Sequence, residues 1–200
     1  MWLVLACVSQ MLGCTSTDQA ASSAQTVAPT AGAVACSTSE NLLTDPGFSE
    51  LSGGVWVAAM HGGEPSFNIS ASEGVLELER FGPEPWMTLR QWVDLGDRQG
   101  GTVTLTADLK GDLQSDPPLH GFTHVAGLLL KPDGARRTLM AEHDPNDGVW
   151  DWRTVSMSAR VPSGAATVQA GVIHQTGGTL WVRNPRLVWS DCEEAPRGAS

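Results

Sequence analysis

Two segments bracket this chain and constrain what it can fold into. Asn41-Leu-Leu-Thr-Asp-Pro-Gly-Phe48 opens the ordered part, and Gly178-Thr-Leu-Trp-Val-Arg-Asn-Pro-Arg-Leu187 closes it. Each has a cysteine just outside it, Cys36 before the first and Cys192 after the second. The arrangement predicts one domain, residues 37–192, whose first and last strands lie side by side. A Cys36–Cys192 disulfide across that seam would close nearly the whole domain into one loop, worth roughly 4–5 kcal/mol in the chain-entropy picture. Two free thiols are the alternative. A metal site at these cysteines is disfavoured, because neither has a Cys or His nearby at ligand spacing.

Between the bookends the chain reads as short strands and turns. No stretch keeps a helical period for three turns without Gly or Pro. Gly74-Val-Leu-Glu-Leu-Glu-Arg80 alternates apolar and charged residues, as a half-buried strand does. Met87 to Leu95 is the clearest alternation: Met87, Leu89, Val93 and Leu95 share the core face with Gln91, so Thr88, Arg90, Trp92 and Asp94 face outward. Gly101 to Leu109 alternates again, with Val103, Leu105, Ala107 and Leu109 inward, and Lys110 to Pro118 reads as a polar loop. Val125–Leu130 and Arg136–Ala141, joined by Lys131-Pro-Asp-Gly134, read as a hairpin. A second loop, residues 143–148, leads to Trp150-Asp-Trp152, and strands follow around Val155–Val161, Thr167–His174 and Thr179–Val188. Turn signals every dozen residues or so predict an all-β sandwich or jelly roll.

The N-terminal 36 residues read differently. Met1 to Cys14 is apolar, contains no Lys or Arg, and is shorter than the roughly 20 residues a membrane span needs. It reads as a secretion signal. Its end, Met11-Leu-Gly-Cys14, resembles the bacterial lipobox, although a lipobox usually begins with Leu. The resemblance implies that Cys14 is lipidated and becomes the mature N-terminus. Residues 15–36 are rich in Ser, Thr, Ala and Gln and carry little apolar bulk, which predicts a flexible tether. Residues 193–200 read as a disordered tail. The expected location is therefore the cell envelope, lipid-anchored, or otherwise secreted.

Charge and aromatic content narrow the function. The formal net charge is −10, the opposite of the clustered Lys/Arg surface that nucleic acid requires. Eight tryptophans occur and no tyrosine. Exposed Trp planes stack on the apolar faces of sugar rings, whereas buried Trp fill a core, and about two in three are assigned here to the core because each buries so much area. Trp92 with Arg90 leads the binding candidates, since parity sets both opposite the apolar face. Trp86, in a Pro-rich loop, and Trp150, at a loop exit, are further candidate platforms. Trp181 fits either role. The five His form no HxH or HExxH pair, no GxSxG occurs, and no catalytic constellation stands out. Asn68-Ile-Ser70 has the form of a glycosylation acceptor and reads as incidental in a bacterial lipoprotein.

The order of motifs resembles carbohydrate-binding modules of the galactose-binding-like jelly-roll class. Those modules begin "NLL-x-N-P-G-F-E", continue with "L-x-Q-x-V-x-L-x-x-G", "W-x-x-V-S" and "V-P-x-G", and close with "G-T-x-W-F-D-D-x-x-L". This chain has the two bookends, Trp56, Leu89-Arg-Gln-Trp-Val-Asp-Leu-Gly96, Trp152-Arg-Thr-Val-Ser156 and Val161-Pro-Ser-Gly164 in the same order. The resemblance implies a β-sandwich that binds a polysaccharide or glycan without catalysis and without a cofactor, with Trp56 and Trp152 in the core. It also implies a structural calcium, which this chain's residues argue against: Ser49 stands where a Glu is usual, and Arg183 replaces the closing Asp. The expectation is that no metal is held and that Arg183 pairs with a carboxylate such as Glu50. The alternative function is a structural or interaction module of the envelope with a protein partner.

Overall fold

The computed structural model describes residues 36–98, 100–114, 125–136, 138–140 and 148–191. The expectations for the signal, Cys14, the tether, Cys192, the loop before Gly148 and the tail fall outside these residues. Within them the chain is all-β, with ten strands in two antiparallel five-stranded sheets. The strands are β1 Val57–Met60, β2 Phe67–Ser72, β3 Val75–Arg80, β4 Met87–Asp94, β5 Thr102–Gln114, β6 Ala126–Pro132, β7 Leu139–Met140, β8 Gly148–Arg160, β9 Thr167–His174 and β10 Gly177–Ser190. One sheet runs β1-β4-β9-β6-β7 and the other β2-β3-β10-β5-β8. Neighbours in the sheets are mostly distant in sequence, as in a sandwich built from crossing connections.

Alternation decides what fills the space between the sheets. Met87, Leu89 and Val93 of β4, Val168, Ala170 and Val172 of β9, and Leu128 and Leu130 of β6 point inward from one side. Leu76 and Leu78 of β3, Leu180 and Val182 of β10, and Val103, Leu105 and Leu109 of β5 meet them from the other. Each Val, Leu or Met side chain so buried contributes about 1.5–3 kcal/mol relative to exposure. Gln91 keeps its predicted inward place at 2% exposure, where its Oε1 accepts the Thr44 amide at 3.0 Å.

The two ends of the domain do meet. Ser39 and Leu42 amides donate to the Trp189 and Leu187 carbonyls, both at 2.8 Å. Asn41 Oδ1 accepts the Leu187 amide at 3.0 Å, and Ser37 Oγ donates to Asp191 at 2.7 Å. The opening segment forms an isolated bridge, Thr38↔Ser190, rather than a full strand. Asp45 then shapes the turn after it. Its carboxylate accepts the Ser49 and Glu50 amides and the Ser49 hydroxyl, while its carbonyl accepts Trp56 Nε1. Burial alone would raise the Asp45 carboxyl, but the Glu50 and Ser49 donors outweigh it and hold the group below the usual carboxylate range.

Two sequence expectations are corrected, for residues 110–114 and for Trp150, and one motif is given its place. Residues 110–114, read as loop, continue β5 to Gln114; charged residues alternate there with buried Gly111 and Leu113, which is strand patterning with a solvated face. Asn68-Ile-Ser70 lies in β2, where Asn68 Nδ2 donates to Glu79 at 2.9 Å. Trp150 and Trp152 belong to β8 rather than to a loop exit. The pairing of β5 with β8 shifts between Leu109↔Arg153 and Gly111↔Trp150, so β8 carries one extra residue there. That bulge turns Trp150 inward, while Trp152 keeps the outward parity counted back from Val155.

Candidate functional site

The outer face of β4 gathers most of the predicted site. Trp92 is 48% exposed, and the Arg90 guanidinium lies 4.9 Å from its ring centroid. Both occupy the outward parity read from the sequence. Trp86 directly precedes β4, one step beyond the Met60↔Met87 pair. It is half-buried, and the exposed ring of His61 meets it edge-on at 6.2 Å. The six steps from Trp86 to Trp92 span about 20 Å at roughly 3.3 Å per residue, with Thr88 and Arg90 between them.

Neighbouring strands complete this face. Trp92 pairs with Gln169 of β9, which pairs with Lys131 of β6, so the three form one row across the sheet. Arg90 pairs with Gly171 on one side and Val57 on the other. Gly171 is required there: a Cβ would collide with the Leu89 carbonyl and come within 2.7 Å of Arg90 Cα. Beyond it, Leu129 and Ile173 join Val125 in a small buried apolar cluster separate from the main core. Thr88 is 4% exposed, yet its Oγ1 makes no hydrogen bond, and neither does the buried Nε of Arg90. Unmade hydrogen bonds at buried atoms are costly and uncommon.

Trp150 does not belong to this site. It sits in the opposite sheet at 9% exposure and packs into the core. Gly111 across the strand makes the room, since a Cβ there would stand 2.5 Å from the indole ring. Arg153 covers its other side at 4.1 Å.

The second sheet presents its own outward aromatics. Trp152, expected in the core, is half-buried on the outside, with the Arg183 guanidinium 4.1 Å from its ring centroid. Trp181 donates to Glu77 at 2.7 Å and has Lys110 5.4 Å from its ring. Arg183 pairs with Asp108, not with Glu50, at 3.4 Å. Asp108 also accepts the Thr154 hydroxyl at 2.7 Å and the Asn184 amide at 2.9 Å. The Thr154 and Asn184 bonds, aided by Arg183, hold its carboxyl below the usual range. Asn184 adopts φ 53° at the β10 bulge, a conformation Asn tolerates. The residues at the implied calcium positions do not fit that ion: Arg183 brings positive charge, and the Ser49 hydroxyl already donates to Asp45. The Trp152 and Trp181 rings thus each carry a cation, whereas Trp92 combines a cation with nearly half its surface open.

A depression of about 180 Å³ lined by Gly47, Phe48, Ser49 and residues 71–74 lies at one end of the sandwich. It is smaller than a typical small-molecule pocket. Among the described residues the candidate site is the sheet face that carries Trp92.

No family model and no curated protein sequence matches the chain. Its fold is similar to solved structures that include carbohydrate-binding modules. TmCBM61 in complex with beta-1,4-galactotriose is 15% identical, with a TM-score of 0.50 over 74% of this chain and 98% of that one. A cyclase from Fischerella sp. TAU is also 15% identical, with a TM-score of 0.52 over 78% of this chain and 100% of that one. The enzymatically active domain of bacteriophage CBA120 tailspike protein 4 is 9% identical, with a TM-score of 0.56 over 74% of this chain. This chain spans only 21% of that tailspike domain. At such identities the likeness shows the fold alone, a β-sandwich.

Proposed function

We propose that the domain is a non-catalytic module that binds a polysaccharide or glycan along the outer face of β4. The observation that carries this is Trp92: a large indole held 48% exposed on a rigid strand, with Arg90 against it and the core on the opposite side. A rigid aromatic on a sheet provides a stacking plane at little entropic cost. Trp86 extends the same line, which suits an extended chain of sugars better than a single ring. The fold it shares with TmCBM61, a carbohydrate-binding module, supports the same reading. A binding screen of the full chain against soluble and insoluble polysaccharides tests it. Retention by at least one glycan is expected; no retention by any would shift the reading to an envelope protein partner.

The module is further proposed to be secreted and anchored through a lipid on Cys14, on the strength of Met11-Leu-Gly-Cys14. Labelled fatty acid incorporated into the wild type and not into Cys14→Ser is the expected result. The Ser37–Asp191 bonds support a Cys36–Cys192 disulfide, because each cysteine adjoins one of these residues. Replacing both cysteines by Ser is expected to cost about 2–5 kcal/mol, read as a lower urea midpoint. An unchanged midpoint would count against the bridge.

A further inference from the structure

We propose that the Trp92 face selects an acidic glycan, one whose sugars carry carboxylate groups, over a neutral one; this rests on reading that face as the glycan site. The chain as a whole is strongly acidic, with a formal net charge of −10. Against that background this face presents two cations, Arg90 and Lys131, with Gln169 between their strands. Adjacent strands are about 4.8 Å apart, so β4 and β6 hold Arg90 and Lys131 on either side of a strip roughly one sugar ring wide.

Among the described residues, the neighbours of Arg90 supply no carboxylate. Its cross-strand neighbours are Gly171 and Val57, neither of which is charged. Two residues beyond Trp92, Asp94 is the nearest acid along β4, and its Oδ1 accepts the Gly96 amide at 2.7 Å. Among the described residues no carboxylate pairs with Arg90 or Lys131. This differs from the second sheet, where Arg183 is matched to Asp108. Arg90 Nε is buried and makes no hydrogen bond, and neither does Thr88 Oγ1, two residues back along the same strand. A guanidinium fork recognises a carboxylate through two parallel hydrogen bonds. A uronic acid offers both halves of the match: a ring face for Trp92 and, at the ring edge, a carboxylate for Arg90. Gln169 can serve the ring hydroxyls, and Lys131 the charge of the next residue along or across the chain.

The test compares uronate polymers with their carboxyl-reduced, neutral forms and with a sulfated polymer, using the full chain and three variants. Expected results are binding to at least one uronate polymer, a loss of about tenfold or more on carboxyl reduction, and a similar loss in Arg90→Gln. Lys131→Gln, at a partly exposed position, is expected to weaken binding less and to reduce its salt dependence. Equal binding of the reduced polymer, with Arg90→Gln and Lys131→Gln unchanged and Trp92→Ala inactive, would overturn the acidic selectivity and leave the glycan site standing. Binding of the sulfated polymer as tight as the uronate would overturn the carboxylate class. Binding to no polymer at all would overturn both the selectivity and the glycan reading.

Discussion

Trp92→Ala is expected to weaken polysaccharide binding by roughly thirty-fold or more, the loss typical of a central aromatic contact, while leaving the melting temperature nearly unchanged. The two halves of this expectation have separate causes. Trp92 is 48% exposed on the outer face, so its removal opens no cavity between the sheets. It does remove the stacking plane and frees Arg90 from the ring that orients it. Trp92→Phe should recover part of the affinity, because a smaller ring still offers a face. Trp150→Ala supplies the contrast. Trp150 fills the space over Gly111 within the core, so its loss is expected to cost about 3–5 kcal/mol of stability. Any binding defect there should follow the fraction unfolded. Isothermal titration beside urea denaturation on the same samples separates the two patterns. A Trp92→Ala protein that binds as wild type while folded would remove the outer face of β4 from consideration.

The contrast between these two tryptophans shows what is legible in the sequence and what is not. Strict alternation from Met87 to Leu95 decides the face of every residue in β4, so the outward places of Arg90 and Trp92 follow from the residue pattern alone. The outward places of Gln169 and Lys131 do not follow in this way, because Thr167–His174 and Ala126–Pro132 are nearly continuous apolar runs, which hides the parity. Around Trp150 alternation fails for a local reason. A bulge inserts one residue, so parity counted from Val155 assigns the wrong face to Trp150, while it places Trp152 correctly outward. The nearest hint is Gly111, a small residue in a strand pattern, which often marks a close approach. Pairing partners are also out of reach. The expected partner of Arg183 is Glu50 and the actual one is Asp108, because which strand lies beside β10 is a matter of topology that no local pattern encodes. At the seam between the bookends the opening stretch carries two polar anchors, Ser39 and Asn41, which bond the last strand.

Stability is expected to fall by about 3 kcal/mol as pH drops from 6.5 to 4, and the cause is a group with no evident mark in the sequence. His174 ends β9 on the inward parity, fully buried. Its Nε2 lies 3.1 Å from the Gly178 carbonyl, the Thr176 hydroxyl is 3.4 Å from Nδ1, and the Phe67 ring meets it edge-on at 5.5 Å. Burial pushes the imidazole down from 6.5 to about 4; the Gly178 bond opposes this and the charge of Arg80 adds to it. The sign follows from proton binding. Between 6.5 and 4 the unfolded chain takes up a proton at His174 that the folded chain refuses, so acid favours unfolding. The contribution is complete above 6.5, declines through this interval, and levels off below 4, where the folded state also protonates. Asp45 and Asp108, both held below the ordinary carboxylate value of 3.8, lose their contributions only at lower pH. The two processes are therefore separated along the pH axis. Urea midpoints measured at pH 7.5, 5.5 and 4.5 should decline in the wild type. His174→Gln should start lower, having lost well-packed imidazole contacts, and stay flat across the same range. An equal slope in that variant would assign the acid sensitivity to other groups and would mean that His174 is solvated enough to titrate normally in the folded protein.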